Sequence, residues 1–155
     1  MTKQEFASEA EALAPSLRRI ALSIVRSEHD AQDAVQQALL RVWERRERVD
    51  PARLKAYLTR AVINACRDVQ RARMRNVPMD AMPERAVEPP DTALRDAVES
   101  LEEKLRTPLL LHYMEGYTER EIARVLSLSL PQLKSRMFRA RRKLRAMLSE
   151  EAKEE

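Results

Sequence analysis

Glycine occurs once in 155 residues, cysteine once and histidine twice, and aromatic side chains make up only 4% of the chain. Each scarcity excludes something. Tight hairpins and nucleotide-cradling loops rely on glycine for positive φ, so a β-rich fold or a Gly-rich phosphate loop is not expected. A lone Cys66 forbids an intrachain disulfide and fits a reducing compartment. Cys66, His29 and His112 are too few and too scattered to hold zinc, so no metal site and no cofactor are expected. No run approaches the roughly 20 apolar residues of a membrane-spanning helix, and the start of the chain lacks a signal-peptide core. The expectation is a cytoplasmic protein with no direct membrane insertion.

What the chain has in abundance is Ala, Leu, Arg, Glu and Gln, the strong helix formers. The expected fold is all-α. Formal charge is +4, and its distribution is uneven. Residues 1–76 carry 15 Lys and Arg against 10 Asp and Glu, a net of +5, and residues 97–155 carry 12 against 10, a net of +2. Residues 77–96 between them hold 2 against 5, a net of −3. Two basic blocks around an acidic connector suit a polyanionic partner; charged, solvated helix faces are the plainer alternative.

Four of the eight prolines, Pro78, Pro83, Pro89 and Pro90, fall in one short stretch. Proline is incompatible with helix interior, so an extended, semi-rigid linker is predicted there. The predicted organisation is two small helical domains, 1–76 and 94–155, joined by an acidic, Pro-rich linker over 77–93.

Apolar residues in the first domain recur at helical spacing. Leu13, Leu17, Ile20, Ala21, Ile24 and Val25 form one stripe, and Ala31, Ala34, Val35, Ala38, Leu39, Val42 and Trp43 a second, started by Ser27 or Asp30. A third begins after Asp50-Pro51 and runs Leu54, Tyr57, Leu58, Ala61, Val62, Ala65, Val69 and Ala72. All three are read as core. The other face of the third helix carries Arg60, Asn64, Arg67 and Arg71 at spacings of four, three and four, extended by Arg73 and Arg75. Like charges at i,i+4 repel, and no acidic residue is expected to neutralise this face, although Asp68 lies beside it. A basic ridge with one Asn in it suits phosphates plus a base edge.

The strongest local signal lies in the second domain. Gly116 stands where a helix would stop with positive φ. Thr118 and Glu121 form a capping box that opens a short helix with Ile122, Val125 and Leu126 inward. Ser127 to Ser129 make a turn, and Ser129 with Gln132 forms a second capping box, with Pro131 tolerated in the first turn. The next helix buries Leu133, Met137, Ala140, Leu144 and Leu148. Two capped helices joined by a three-residue turn are a helix-turn-helix. Seven of the twelve residues from Lys134 to Arg145 are Lys or Arg, and Lys134, Ser135, Phe138 and Arg139 stand near the start of the second helix, the end that enters the major groove.

With these motifs in place, the chain resembles the extracytoplasmic-function sigma factors, the small two-domain promoter-specificity subunits of bacterial RNA polymerase. Asp30–Trp43 is similar to the family's polymerase-docking helix, Leu58–Arg73 to its minus-ten-element helix, and Leu109–Gly116 with Leu133–Arg141 to its minus-thirty-five domain. The resemblance covers nearly the whole chain, in order and spacing. It implies that Asp33, Gln36 and Gln37 face the clamp helices in the largest subunit of core RNA polymerase. Asn64 would help hold a base flipped from the minus-ten non-template strand, with Arg60, Arg67 and Arg71 along that strand's backbone. Lys134, Ser135, Phe138 and Arg139, with Gln132 and Arg136, would form the minus-thirty-five interface of promoter DNA. The linker would thread the catalytic and RNA-exit channel, and an anti-sigma factor is an implied partner.

Some positions depart from the family pattern. Gln37 stands where Glu is common, Val49 lies where an aromatic is frequent, and Glu102-Glu103 replaces a common Pro pair. Pro108 is expected to restart the helix there, capped by Thr107. Ser127 and Pro131 stand where the family often has Gly. Two other readings explain part of the chain: a helix-turn-helix regulator acting without polymerase, and a sigma mimic that sequesters a regulator. No nucleophile–base pair or metal cluster points to an enzyme.

Overall fold

A computed structural model describes residues 1–76 and 93–154, and all the regular structure among them is helical. The described residues fall into two compact units, one before and one after residues 77–92. The linker expected over 77–93 lies outside them but for Ala93.

The first unit is built from three long helices, α1 (Lys3–Val25), α2 (Glu28–Glu44) and α3 (Leu54–Asn76), with 3₁₀ turns at Arg46–Arg48 and Pro51–Arg53. Helix α1 opens on a capping box in which Thr2 and Glu5 exchange side-chain and backbone hydrogen bonds of 3.0 and 3.1 Å. It closes at Arg26, whose φ of 57° turns the chain. Ser27, rather than Asp30, then caps α2 by accepting from the Asp30 amide. Helix α1 also begins ten residues before its expected stripe and runs through Pro15. The missing hydrogen bond there is offset by packing: Phe6 is buried and meets Trp43 of α2 edge to face, with ring centroids 5.3 Å apart. Arg46 covers that indole at 3.9 Å.

Helix α3 packs against both α1 and α2, which also pack against each other. Its buried side is therefore broad: Leu54, Leu58, Thr59, Val62, Ile63, Ala65 and Cys66 are all within it. This is rotated from the expected stripe. Tyr57 and Ala72 are exposed, while Thr59, Ile63 and Cys66 are inside. Thr59 meets its burial by donating to the Lys55 carbonyl at 2.8 Å. Gln70 ties α3 to the end of α1 by donating to the Ile24 carbonyl at 3.0 Å.

In the second unit three shorter helices, α4 (Ala93–Ser100), α5 (Glu103–Tyr113) and α6 (Glu119–Leu126), each pack on one long helix, α7 (Leu130–Glu154). Leu133, Met137, Ala140 and Leu144 are buried as expected, and Leu148 is half-buried. Helix α5 does not restart at Pro108. It starts at Glu103 and continues through the proline, with Thr107 buried inside it and its hydroxyl without a hydrogen-bond partner. The segment Leu105–Leu109 is buried throughout, and this apolar packing keeps the helix continuous across the missing donor. Arg106 is 5% exposed and donates to the Leu101 carbonyl at 2.7 Å, closing the corner between α4 and α5.

Candidate nucleic-acid interface

The exposed side of α3 is what remains once α1 and α2 have covered the rest. Arg60, Asn64 and Arg71 are exposed on it and Arg67 is half-buried, so the four residues predicted from spacing share one face. Tyr57 joins them. At 46% exposed, it lies one turn before Arg60, and periodicity alone had assigned it to the core. The ridge is also less uniformly positive than expected. The Asp68 carboxylate is 3.6 Å from Arg71 and 3.6 Å from Arg41 of α2. Arg73 turns aside to Asp30 at the start of α2, in a charge contact rather than an aligned hydrogen bond.

A second polar surface lies along α2, on the side away from the core. Asp33, Gln36 and Gln37 are exposed there, with His29 3.4 Å from Asp33. Leu40, 61% exposed, stands one turn further on in the same stripe. Its apolar character outside the core stripe was the signal for it in the sequence. An exposed leucine among short polar side chains fits a protein partner better than a phosphate backbone, because it offers area to bury.

In the second unit the two capping boxes are formed. Thr118 and Glu121 exchange bonds of 3.1 and 3.2 Å, and Ser129 and Gln132 exchange bonds of 3.0 and 3.2 Å. Before them, Gly116 takes φ +73°, and the Tyr117 amide donates to the Leu111 carbonyl at 2.9 Å. Between the two boxes Ser127 adopts φ 57° and ψ 44°. The Leu128 amide donates back to Ala123 at 2.8 Å and that of Ser127 to Arg124 at 3.3 Å, the paired closure of a helix end that glycine usually makes.

Helix α7 thus leaves its cap at a fixed angle to α6, with Lys134, Ser135, Phe138 and Arg139 exposed and Arg136 half-buried. Phe138 is 65% exposed, an aromatic held in solvent on the same stretch as three cations. Gln132 is partly committed: its side-chain oxygen accepts from Ser129, which leaves only the amide group to face outward. Arg141 is drawn to the end of α5, where it donates to the Tyr113 hydroxyl at 3.0 Å. Such a surface can hold phosphates with its cations and touch base edges with Ser135, Phe138 and the ends of Lys134 and Arg139. Among the described residues no group of His, Cys, Asp and Glu could hold a metal ion, and no helix is long and apolar enough to cross a membrane.

Comparison with known proteins bears on both units. Residues 10–76 match the sigma-70 region 2 family, and residues 91–144 match sigma-70 region 4. The chain is 35% identical to the RNA polymerase sigma-E factor of Streptomyces coelicolor over 144 residues, which span 86% of this chain and 80% of that one. Among solved structures, it is similar to the sigma factor RpoE of Bartonella quintana in complex with the anti-sigma factor NepR. That likeness has a TM-score of 0.81 at 24% identity and covers 94% of this chain and 98% of the other. It is also similar to CnrH in complex with the cytosolic domain of CnrY, with a TM-score of 0.70 at 25% identity, covering 96% and 90%.

Proposed function

Because the chain belongs to the extracytoplasmic-function sigma factors, the family that directs RNA polymerase in transcription initiation, we propose that its three exposed faces divide one task. Asp33, Gln36 and Gln37, with Leu40 beside them, dock on the clamp helices of the largest polymerase subunit. Lys134, Ser135, Phe138 and Arg139, flanked by Gln132 and Arg136, read the minus-thirty-five element as duplex DNA. Arg60, Asn64, Arg67 and Arg71 take the minus-ten non-template strand as it opens. Residues 1–76 form the first recognition domain and 94–155 the second, and the acidic segment 77–93 runs through the RNA-exit channel.

One observation carries this reading. A helix-turn-helix that exposes Lys134, Ser135, Phe138 and Arg139 stands in one chain with a separate helix that exposes Arg60, Asn64 and Arg71 in a row. A duplex-binding regulator has use for the first and none for the second. Extruding a base costs a few kcal/mol, so a strand-opening factor needs a surface that recovers the cost after opening. Arginines recover it through the backbone, Asn64 through a base edge, and the exposed Tyr57 ring through stacking, which contributes about 1–3 kcal/mol per base. The sigma factor RpoE is bound to an anti-sigma factor in its structure and CnrH to the cytosolic domain of CnrY, and we extend a partner of the anti-sigma kind to this chain.

The test is run-off transcription with purified core polymerase and a library of randomised promoters. Transcripts should depend on added chain; none from any promoter would overturn the reading. With a promoter so selected, Asn64→Ala should reduce strand opening, read by the fluorescence of 2-aminopurine in the minus-ten element, far more than initial duplex binding. Equal loss in both would remove Asn64 from the base-holding role.

A further inference from the structure

The carboxylate of Asp68 joins two helices of different assignment. Arg71 stands on α3, the helix of the minus-ten ridge, whereas Arg41 stands on α2, the helix of the polymerase face. Both guanidinium groups lie 3.6 Å from Asp68. We propose that Arg41 is a further DNA-backbone contact and that Asp68 is the positioning residue that holds it on the ridge. The strand-tracking surface then crosses from α3 onto α2. The inference rests on the sigma-factor reading of α3.

The charge balance supports it. One carboxylate between two guanidinium groups leaves one positive charge, so the cluster still attracts phosphate. Neither contact is short enough to be a hydrogen bond, so the attraction orients the two cations without occupying an N–H donor in a bond. Both arginines are at least half exposed, with side-chain values of 54% for Arg41 and 73% for Arg71. Solvated pairs of this kind add little to stability, so a purely structural clip between α2 and α3 gains little from them.

The position fits as well. Asp68 is one turn beyond Asn64 and one turn before Arg71, so it sits on the flank of the ridge that faces Arg41. On α2, Arg41 follows the docking stripe of Asp33, Gln37 and Leu40 but lies on its flank, turned toward α3. An acid within a strand-binding surface opposes phosphate unless it sets cations in place, and Asp68 has two to set. The arrangement lets a phosphate approach Arg41 and Arg71 together, with the base edge presented to Asn64 two turns before Arg71.

The experiment measures holoenzyme binding to a forked promoter with a single-stranded minus-ten non-template strand, taken from the run-off selection and titrated across KCl concentration. Wild-type binding above core polymerase alone is the gate; its absence would sink the sigma-factor reading itself. With the gate passed, Arg41→Ala should weaken binding to all fork sequences alike. It should also flatten the plot of log affinity against log salt by about 0.7 to 1. Arg41→Lys should restore the slope, since a phosphate accepts a point charge. Arg18→Ala, which removes an exposed arginine paired with Glu28 away from the ridge, should leave the slope unchanged. An Arg41→Ala slope equal to wild type, or a slope that Lys fails to restore, would overturn the proposal.

Discussion

The two units reach stability by different routes. In the first, three helices of 23, 17 and 23 residues bury one another's apolar faces, and α3 is covered on two sides. In the second, α4 and α6 have eight residues each and α5 has eleven. Helices this short do not persist alone in water, so local hydrogen bonds carry more of the structure: two capping boxes, the closure at Ser127 and the buried Arg106 corner. The contrast concerns where each unit can spare a residue for function. The first can present a whole helix side to a ligand because its shape is fixed by the opposite side. The second places Lys134, Ser135, Phe138 and Arg139 directly after a cap, where a few polar atoms set the helix direction.

That contrast can be broken by substitution. The largest effect is expected from Leu58→Ala, which empties a fully buried position in α3. It should cost about 2–5 kcal/mol. Hydrogen exchange should show the loss of protection in α1, α2 and α3 and not in α5 to α7; equal loss in both units would show that they do not unfold separately. Next come Thr118→Ala and Ser129→Ala. Each should cost about 1 kcal/mol and appear in denaturant midpoints as loss from the second unit, with the effect of Ser129→Ala on minus-thirty-five binding larger than its stability change explains. An effect in proportion to stability alone would separate cap from helix direction. The smallest is Ser127→Gly. A side chain in left-handed backbone costs about 1–2 kcal/mol, partly offset by the extra freedom glycine brings to the unfolded chain. A net gain of about 0.5 kcal/mol is expected as a higher midpoint, and a loss would mean that Ser127 is not strained.

The local features were legible in the sequence and the side-to-side ones were not. Both capping boxes of the helix-turn-helix follow from residues three apart, and Gly116 follows from its position between the end of one helical stripe and the first of those boxes. The ridge of Arg60, Asn64, Arg67 and Arg71 follows from spacing on a single helix. Tyr57 departs from the expected stripe because an apolar stripe gives a helix face but not how far a second neighbour rotates it; with α1 and α2 both on α3, burial lies toward Ile63 and Cys66. The pairing of Arg41 is not visible from the sequence for a related reason. Its ion-pair partner is 27 residues away on another helix, beyond any i,i+4 rule. At Pro108 a local rule predicted a restart that burial of the surrounding helix overrode.

Helix α7 is a single rod of 25 residues on which charge is sorted by position. Seven cations lie between Lys134 and Arg145, and four glutamates with one lysine lie from Glu150 to Glu155. At a rise of 1.5 Å per residue the middle of the cationic stretch lies about 16 Å from Glu150 along the helix, more than one screening length at moderate salt. In the field of a polyanion such a rod experiences a torque. Its cationic stretch would be drawn toward the polyanion and its acidic end away from it before any contact forms. The consequence is kinetic: fewer encounters are wasted on the wrong orientation, and the advantage fades as salt rises.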